Sequence, residues 1–334
     1  MKIDAGIVAE YDLGGVPERV RQLEAEGYDG ITSAELASDP FLPLVLAAEH
    51  TERVELSTSI AVAFARNPMT VAQQAHDLHA YSRGRFILGL GSQIRPHIEK
   101  RFSMPWSRPA ARMREFVLAL RAIWDCWYNG EPLQFRGEFY RHTLMTPMFT
   151  PPERDYGAPR VFLAAVGPRM TEAAAEVADG MIAHSFTTER YLREVTLPAV
   201  ERGLARAGRR RGGFEICLPL FTRISGDESE RVTALRRQIA FYGSTPAYRP
   251  VLDLHGWGEL QNELNRMSKR GQWVEMGERV EGEVLDAFCL SAPPEGFADA
   301  VLERFGGLID RFLGMPPIED PELRAEQVAR LRAG

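Results

Sequence analysis

The segment Phe86-Ile87-Leu88-Gly89-Leu90-Gly91 decides the fold class of this 334-residue chain. Its residues are nearly all apolar, and such a continuous apolar run is typical of a strand buried on both faces of a parallel sheet. On either side of it, short β-branched runs alternate with amphipathic helical stretches, which is the pattern of a parallel α/β protein. We therefore predict a parallel sheet covered by helices.

This alternation predicts eight strands, each followed by a helix or an insertion. The predicted strands are Lys2–Ala9, Gly30–Ser33, Val54–Ala63, Phe86–Leu90, Val161–Ala165, Met181–Ala183, Phe214–Ile224 and Leu308–Phe312. Eight such units without a linker rich in Pro, Gly or Ser favour a single (β/α)8 TIM-like barrel over two doubly wound domains. We expect one domain over residues 1–334, with an irregular, partly helical insertion over 243–285, after strand seven.

The composition argues against several classes of protein and of site. A formal net charge of −6 argues against a dedicated nucleic-acid-binding protein. No apolar run approaches the ~18 residues of a membrane span, so we expect no membrane association. Three scattered cysteines without C-x-x-C spacing indicate neither a disulfide framework nor a zinc site, and a cytoplasmic location is expected. The seven histidines show no paired ligand spacing, so no metal site is expected.

Two glycine-containing segments follow predicted strands, at the barrel face where active sites lie. The first segment, Gly89-Leu90-Gly91-Ser92-Gln93-Ile94, resembles the dinucleotide-binding motif G-x-G-x-x-G, but Ile94 stands in place of the third glycine and no helix follows directly. We therefore reject a Rossmann site. These glycines either let a flat ring approach the backbone or form only a tight turn. In Ala165-Val166-Gly167-Pro168-Arg169, a glycine precedes a helix; its free N–H groups either bind a phosphate or complete an ordinary strand–helix turn.

Three titratable residues follow predicted strands and are the candidate catalytic residues. His97 follows strand four and His184 ends strand six, and a histidine titrates near neutral pH. Glu35 follows strand two and either contacts a ligand or lies at the surface.

Six segments occur in a specific order and spacing: Gly27-Tyr28-Asp29-Gly30, Thr58-Ser59-Ile60, Arg66-Asn67-Pro68, Ser82-Arg83-Gly84-Arg85-Phe86-Ile87-Leu88-Gly89-Leu90-Gly91, Ala165-Val166-Gly167-Pro168 and Ala178-Asp179-Gly180. On these segments, and over nearly all of its length, the chain resembles the luciferase-like flavin and deazaflavin monooxygenase superfamily and, within it, the F420-dependent oxidoreductases. The stretch from Gly91-Ser92-Gln93 to Arg101-Phe102-Ser103-Met104-Pro105-Trp106 is similar to one subgroup of actinobacterial F420 enzymes, in agreement with an arginine-rich, lysine-poor composition.

The resemblance implies a site for coenzyme F420 at the barrel mouth. It implies a non-proline cis peptide at Ser59-Ile60 that backs the deazaflavin ring, and contacts from Ser92 and Gln93 to that ring or its side chain. It also implies a phosphate held by the backbone of Val166 and Gly167. The cofactor-binding set is then Thr58, Ser59, Ile60, Ala61, Gly91, Ser92, Gln93, Ala165, Val166, Gly167, Arg169 and Thr187, with Arg193 as a further candidate for the cofactor tail.

Two departures from the family pattern leave the proton donor open. Leu36 stands where many relatives carry a histidine, and Ile94 stands where some F420 dehydrogenases carry a glutamate. Three functions therefore stay open. They are F420-dependent hydride transfer to or from an organic substrate, an FMN-dependent monooxygenase that uses O₂, and a catalytically silent cofactor-binding barrel. The resemblance also implies a homodimer. The aromatic segment 130–149 and the tryptophans of the insertion suggest a roofed, apolar pocket for a small-molecule substrate that is bulky and hydrophobic.

Overall fold

The computed structural model describes residues 1–7, 12–152, 156–226 and 230–334. Eight parallel strands close into a barrel because the first strand pairs with both the second and the last, and the third pairs with the fourth. The predicted (β/α)8 barrel is confirmed. The strands are β1 (Lys2–Ile7), β2 (Gly30–Ser33), β3 (Glu55–Thr58), β4 (Phe86–Gly91), β5 (Arg160–Ala165), β6 (Gly180–Ala183), β7 (Glu215–Pro219) and β8 (Arg311–Leu313).

Helices follow the strands and cover the outside of the barrel. Several of them begin with a proline in the first turn, where its missing N–H costs no helical hydrogen bond. In the part of the chain that is described, no helix is long and apolar enough to cross a membrane. The α-helices of two turns or more outside the insertion are Val16–Ala25, Leu42–Glu49, Pro68–Tyr81, Pro109–Asn129, Pro168–Val177, Leu197–Arg206, Glu230–Gly243, Phe297–Phe305 and Pro321–Ala333.

The third predicted strand is interrupted in the structure. The predicted strand Val54–Ala63 stops at Thr58 and resumes at Ala61–Val62, and the Ser59–Ile60 peptide between the two parts is cis. The cis bond was an expectation from the resemblance, and it is confirmed. Residues 8 and 9 of the predicted first strand and residue 228, at the predicted start of a helix, lie outside the described residues.

The prediction of one strand over Phe214–Ile224 is wrong. Pro219 ends β7, since a proline has no N–H to continue the ladder, and Leu220 makes one last bond to β8 through its N–H and the Leu313 carbonyl (2.8 Å). Phe221–Ile224 then leaves the barrel and pairs in parallel with Cys289–Ala292, a strand that the sequence did not predict. Apolar residues run through the break, so the pattern resembled one long strand.

The insertion over 243–285 is mostly helical. Its helices are Arg249–Leu254, Gly258–Lys269, Trp273–Glu278 and Gly282–Phe288. They share a small apolar core that includes Phe186, which follows β6, and Phe221, which follows β7. The insertion is therefore attached to the carboxyl-terminal face, beside the ends of β6 and β7.

The aromatic segment after helix Pro109–Asn129 contains a short hairpin, Phe135–Arg136 with Arg141–His142. The carboxylate of Glu115, on that helix, accepts hydrogen bonds from the backbone N–H groups of Phe139 (2.6 Å) and Tyr140 (2.7 Å). The hairpin thus packs along this helix, on the outside of the barrel.

At its amino-terminal end, the barrel interior is filled by charged side chains from five strands, which we call the polar plug: Lys2, Asp4, Glu55, Arg160, Glu215 and Arg311. The Arg311 guanidinium lies in the middle, 3% exposed, and donates to Asp4 Oδ1 (2.6 Å) and to Glu215 Oε2 (3.2 Å), as well as to Glu55. Its positive charge helps to hold the pKa of Glu55 at about 2, against the opposing effect of burial.

Candidate active site

The interior layer above the polar plug is apolar and closes the barrel from below. It consists of Ile87, Phe162, Ile182 and Cys217, from β4 to β7, with Ile60 packed against it. Because strand side chains alternate, the residue two positions further along each strand faces the same interior. Those positions hold small residues on β4 and β5, Gly89 and Ala164. The barrel mouth therefore has an apolar floor, with small residues above it on two of its strands.

Gly91, at the end of β4, has a packing role at this floor. A Cβ atom there would lie 2.8 Å from Ile60 Cδ1 and 3.4 Å from the Ala164 Cβ. Any side chain at this position would displace Ile60 from the mouth. Gly91 thus lets Ile60 cross the end of β4, and a flat ring could rest on the surface that results.

A polar clamp fixes the segment that carries the cis peptide. Glu35 donates its backbone N–H to the Ile60 carbonyl (3.2 Å), and its Oε2 accepts from the Val62 N–H (2.7 Å) and from Arg66 Nη1 (2.6 Å). Arg66 Nη2 also donates to Asp39 Oδ2 (3.1 Å). The Glu35 side chain is only 7% exposed. These contacts favour a positioning role for Glu35 over the predicted catalytic one.

The side chains on either side of Ser59 and Ile60 point into the protein. Thr58 is fully buried; its hydroxyl donates to the Gly89 carbonyl (2.7 Å) and accepts from the Gly89 N–H (2.9 Å). The Ala61 side chain is also fully buried. The Thr58 side chain therefore braces β3 against β4 and does not face a cofactor. The position of Thr58 next to the cis peptide suggested a contact with the cofactor. Successive side chains of a strand point to opposite faces, however, so neighbouring residues do not share a contact surface.

Polar residues follow β4 at the rim of the mouth. Ser92 and Gln93 are half-buried, and Gln93 has a positive φ of 59° that turns the chain out of the strand. The Ser92 hydroxyl donates to the Gln93 carbonyl (3.1 Å) and Gln93 Oε1 accepts from the Ile94 N–H (2.9 Å). Their side chains thus bond to their own loop. His97 lies further out, exposed, at the start of a helical turn.

The loop after β5 is open to a ligand. Gly167 has a φ of 74°, and a Cβ atom there would meet no atom within 4 Å. Ala165 is buried, whereas Val166 is 39% exposed. Helix Pro168–Val177 begins directly after the glycine, so its first N–H groups face this space and favour an anion. Arg169 lies exposed in its first turn.

Thr187 places a hydroxyl group at the barrel mouth. Ala165 and Ala183 are paired across β5 and β6, so Thr187 follows the strand next to the Gly167 loop. Its Oγ1 is buried and has no hydrogen-bond partner in the described part of the chain. A buried hydroxyl without a partner is costly, and in native proteins it usually indicates a bound ligand or water. The predicted tail contact Arg193, in contrast, pairs with Glu189 (2.8 Å).

His184 lies at the end of β6 with a defined tautomer. Its Nδ1 accepts a hydrogen bond from the Phe186 N–H (3.0 Å), so in the neutral ring the proton is on Nε2. Burial lowers the pKa of His184 to about 4. At neutral pH the ring is uncharged and can donate one hydrogen bond, but it holds no second proton to transfer.

The sequence did not predict four residues of this site: Asp39, Arg66, Tyr242 and Tyr248. The ion pair of the clamp could have been predicted from the sequence, because Glu35 and Arg66 carry opposite charges and follow neighbouring strands. The two tyrosines, which contact His184, lie about sixty residues away along the chain, and no local sequence pattern predicts that contact. Within the described ranges, no group of three or more His, Cys, Asp or Glu residues could hold a metal ion.

Known proteins resemble this chain along most of its length. The family model described as luciferase-like monooxygenase matches residues 1–311. An uncharacterized protein of Mycobacterium tuberculosis is 55% identical over 316 residues, which cover 94% of this chain and 92% of the relative. The F420-dependent glucose-6-phosphate dehydrogenase of Intrasporangium calvum is 34% identical over 247 residues, covering 71% and 72%.

A solved structure shares the fold. The coenzyme F420-dependent tetrahydromethanopterin reductase of Methanopyrus kandleri superposes with a TM-score of 0.78 at 19% identity, covering 98% of this chain and 96% of that one. At that identity the superposition supports the barrel architecture alone.

Proposed function

Because the chain belongs to the luciferase-like monooxygenase family, we propose that it is an F420-dependent oxidoreductase. It would transfer a hydride between C5 of the deazaflavin and a small organic substrate. One observation carries the proposal: the unpartnered hydroxyl of Thr187 lies beside the open loop of Gly167, on neighbouring strands of the barrel mouth. F420 is favoured over FMN by the 34% identical F420-dependent dehydrogenase, which matches more than two thirds of both chains.

The residues at the mouth fit such a cofactor. The first N–H groups of helix Pro168–Val177 and the Thr187 hydroxyl would hold its phosphate, with Arg169 nearby to attract negative charge. Ile60 would support the ring from below, and Ser92 and Gln93 would contact its edge after their present bonds to the loop are exchanged. When bound, the deazaflavin supplies the hydride chemistry at C5.

The protein would supply orientation and exclude water. The Glu35–Arg66 clamp holds the Ile60 segment at a fixed height above the floor. The apolar layer below it offers water no strong hydrogen-bond partner under the ring. His184 holds a hydrogen-bond donor at the mouth. His97 remains a candidate proton donor because it is exposed near the rim.

We extend the proposal to the assembly and the location of the protein. The resemblance to the family supports a homodimer. The single-domain organisation with its insertion, an apolar small-molecule substrate and a cytoplasmic location belong to the same proposal.

Equilibrium binding of F420 and of FMN to the purified protein tests the proposal. We expect F420 to bind at least about tenfold more tightly than FMN, a difference of ~1.4 kcal/mol. The reverse preference would contradict the proposal and favour the FMN-dependent monooxygenase, with oxygen consumption as the next assay. Tight F420 binding without oxidation of the reduced cofactor by any of a panel of carbonyl compounds would favour the catalytically silent barrel.

A further inference from the structure

We infer that the substrate of this site is an uncharged carbonyl compound whose oxygen accepts a hydrogen bond from His184 Nε2 between the rings of Tyr242 and Tyr248. The inference rests on the proposed function, and it adds the substrate class and the residues that select it.

The direction of His184 follows from the strand that carries it. Ile182, in β6, belongs to the apolar floor, and side chains of the same face recur every second residue. His184 is therefore on the interior face, just beyond the last strand residue. Its Nδ1 is occupied by the Phe186 N–H. Nε2 has no partner in the described part of the chain and is not among its fully buried unpaired atoms, so a ligand can reach it.

Two tyrosines from the insertion side form the walls around this donor. Tyr242 is edge-on to the imidazole and Tyr248 is tilted over it, each with its ring centroid 4.6 Å from that of His184. The two tyrosines also contact each other at 6.0 Å, and Tyr248 contacts Phe186 at 5.6 Å. The imidazole is thus enclosed on two sides by aromatic surface.

These walls are anchored in the apolar core of the insertion. Gly243, next to Tyr242, packs so closely on Leu264 that a Cβ atom would lie 2.9 Å from Leu264 Cδ1. Tyr242 and Tyr248 both pack against that core. The walls are therefore held in place before a substrate arrives, which lowers the entropic cost of binding.

The electrostatics of this position select an uncharged substrate. The groups that face His184 are the two tyrosines and Phe186, and burial raises the pKa of Tyr248 to about 12, so its phenol is neutral. The histidine itself is neutral at pH 7, because burial lowers its pKa. A carboxylate here would lose its hydration without gaining a cation. A ketone or aldehyde oxygen needs only the one hydrogen bond that His184 offers.

Three probes of similar shape separate these possibilities: cyclohexanone, methylenecyclohexane, which has no oxygen, and cyclohexanecarboxylate. Binding is followed by NMR on protein with ¹⁵N-labelled histidine, both alone and loaded with F420. We expect cyclohexanone to shift the Nε2 signal of His184 and methylenecyclohexane to leave it unchanged. Cyclohexanecarboxylate should bind at least about tenfold more weakly than cyclohexanone, by ~1.4 kcal/mol.

Variants then assign the effect to the donor and the walls. His184→Phe should weaken cyclohexanone binding about tenfold, and His184→Gln, which keeps a donor, should weaken it by less than about threefold. Neither should change the affinity for methylenecyclohexane. Tyr248→Ala should weaken both uncharged probes, whereas Tyr248→Phe should weaken neither.

Equal affinity for the carboxylate, or an unchanged ketone affinity in a folded His184→Phe protein, would overturn the inference. Because the probes are also titrated against the protein without cofactor, these outcomes are distinct from a failure to bind F420, which would overturn the proposed function instead.

Discussion

The two ends of the barrel interior solve the burial of polar groups in opposite ways. At the amino-terminal end, the polar plug pairs three acidic side chains with three basic ones, and Arg311 contacts all three acids. At the carboxyl-terminal end, the floor is apolar, and two polar atoms above it, Thr187 Oγ1 and His184 Nε2, lack partners in the described structure. The paired end stabilises the fold, and the cofactor site that we propose lies at the unpaired end.

The largest expected effect comes from breaking the paired end. Arg311→Met leaves the buried carboxylate of Asp4 without its counter-ion, while Glu55 and Glu215 keep only Lys2 and Arg160. The variant should lower the free energy of unfolding by about 3–5 kcal/mol. The matched control is Arg330→Met, which removes a half-exposed ion pair with Asp299 and should cost less than about 1 kcal/mol. Urea denaturation of the three proteins measures both values, and equal losses would show that the plug does not support the barrel.

His184 gives the mouth a pH dependence of stability. Its folded pKa, about 4, lies below the ordinary histidine value of 6.5, because the neutral ring is favoured where it is buried. This contribution is complete above pH 6.5 and is lost as the pH falls towards 4. The loss should be about 2–3 kcal/mol. Denaturation between pH 4 and 7 should give a flatter curve for His184→Phe; parallel curves would place the imidazole in a solvated position.

The clamp connects stability at the mouth with cofactor binding. Arg66→Met and Glu35→Gln should each weaken F420 binding about tenfold, ~1.4 kcal/mol, because the Ile60 segment loses its fixed position. The double variant should be no weaker than either single one, since both remove the same interaction. Titration of each protein with F420, followed by the fluorescence of the cofactor, gives the four affinities of this double-mutant cycle. Additive losses would mean that the two residues act independently.

Thr187 should separate binding from stability. Thr187→Val removes an unpaired buried hydroxyl, so it should weaken F420 binding by about 1 kcal/mol and leave the free energy of unfolding unchanged or higher. Thr51→Val, far along the chain, removes a buried hydroxyl that donates to the Ala47 carbonyl (2.6 Å). That variant should lower stability by about 1 kcal/mol and leave F420 binding unchanged. A loss of stability in Thr187→Val would indicate that its hydroxyl is already satisfied.

The same contrast explains what could be predicted from the sequence. Strand order and the barrel followed from local apolar runs, as in β4, and the glycine turn at Gly167 was visible beside its helix. The break after Pro219 was missed because apolar residues continue through it. The roles of Thr58 and Glu35 depend on side-chain direction and on partners about thirty residues away, as with Gly89 and Arg66. The tyrosine walls depend on how the insertion packs, which no local pattern encodes.

Amide hydrogen exchange with and without F420 tests most directly whether the unpaired end is the cofactor site. We predict slower exchange, on adding F420, in the segments that form the mouth: 60–62, 91–94, 166–171 and 184–188. Exchange at the strand starts around the polar plug, including residues 2–4 and 311–313, should stay the same. Protection confined to other regions, or none at saturating F420, would contradict the account.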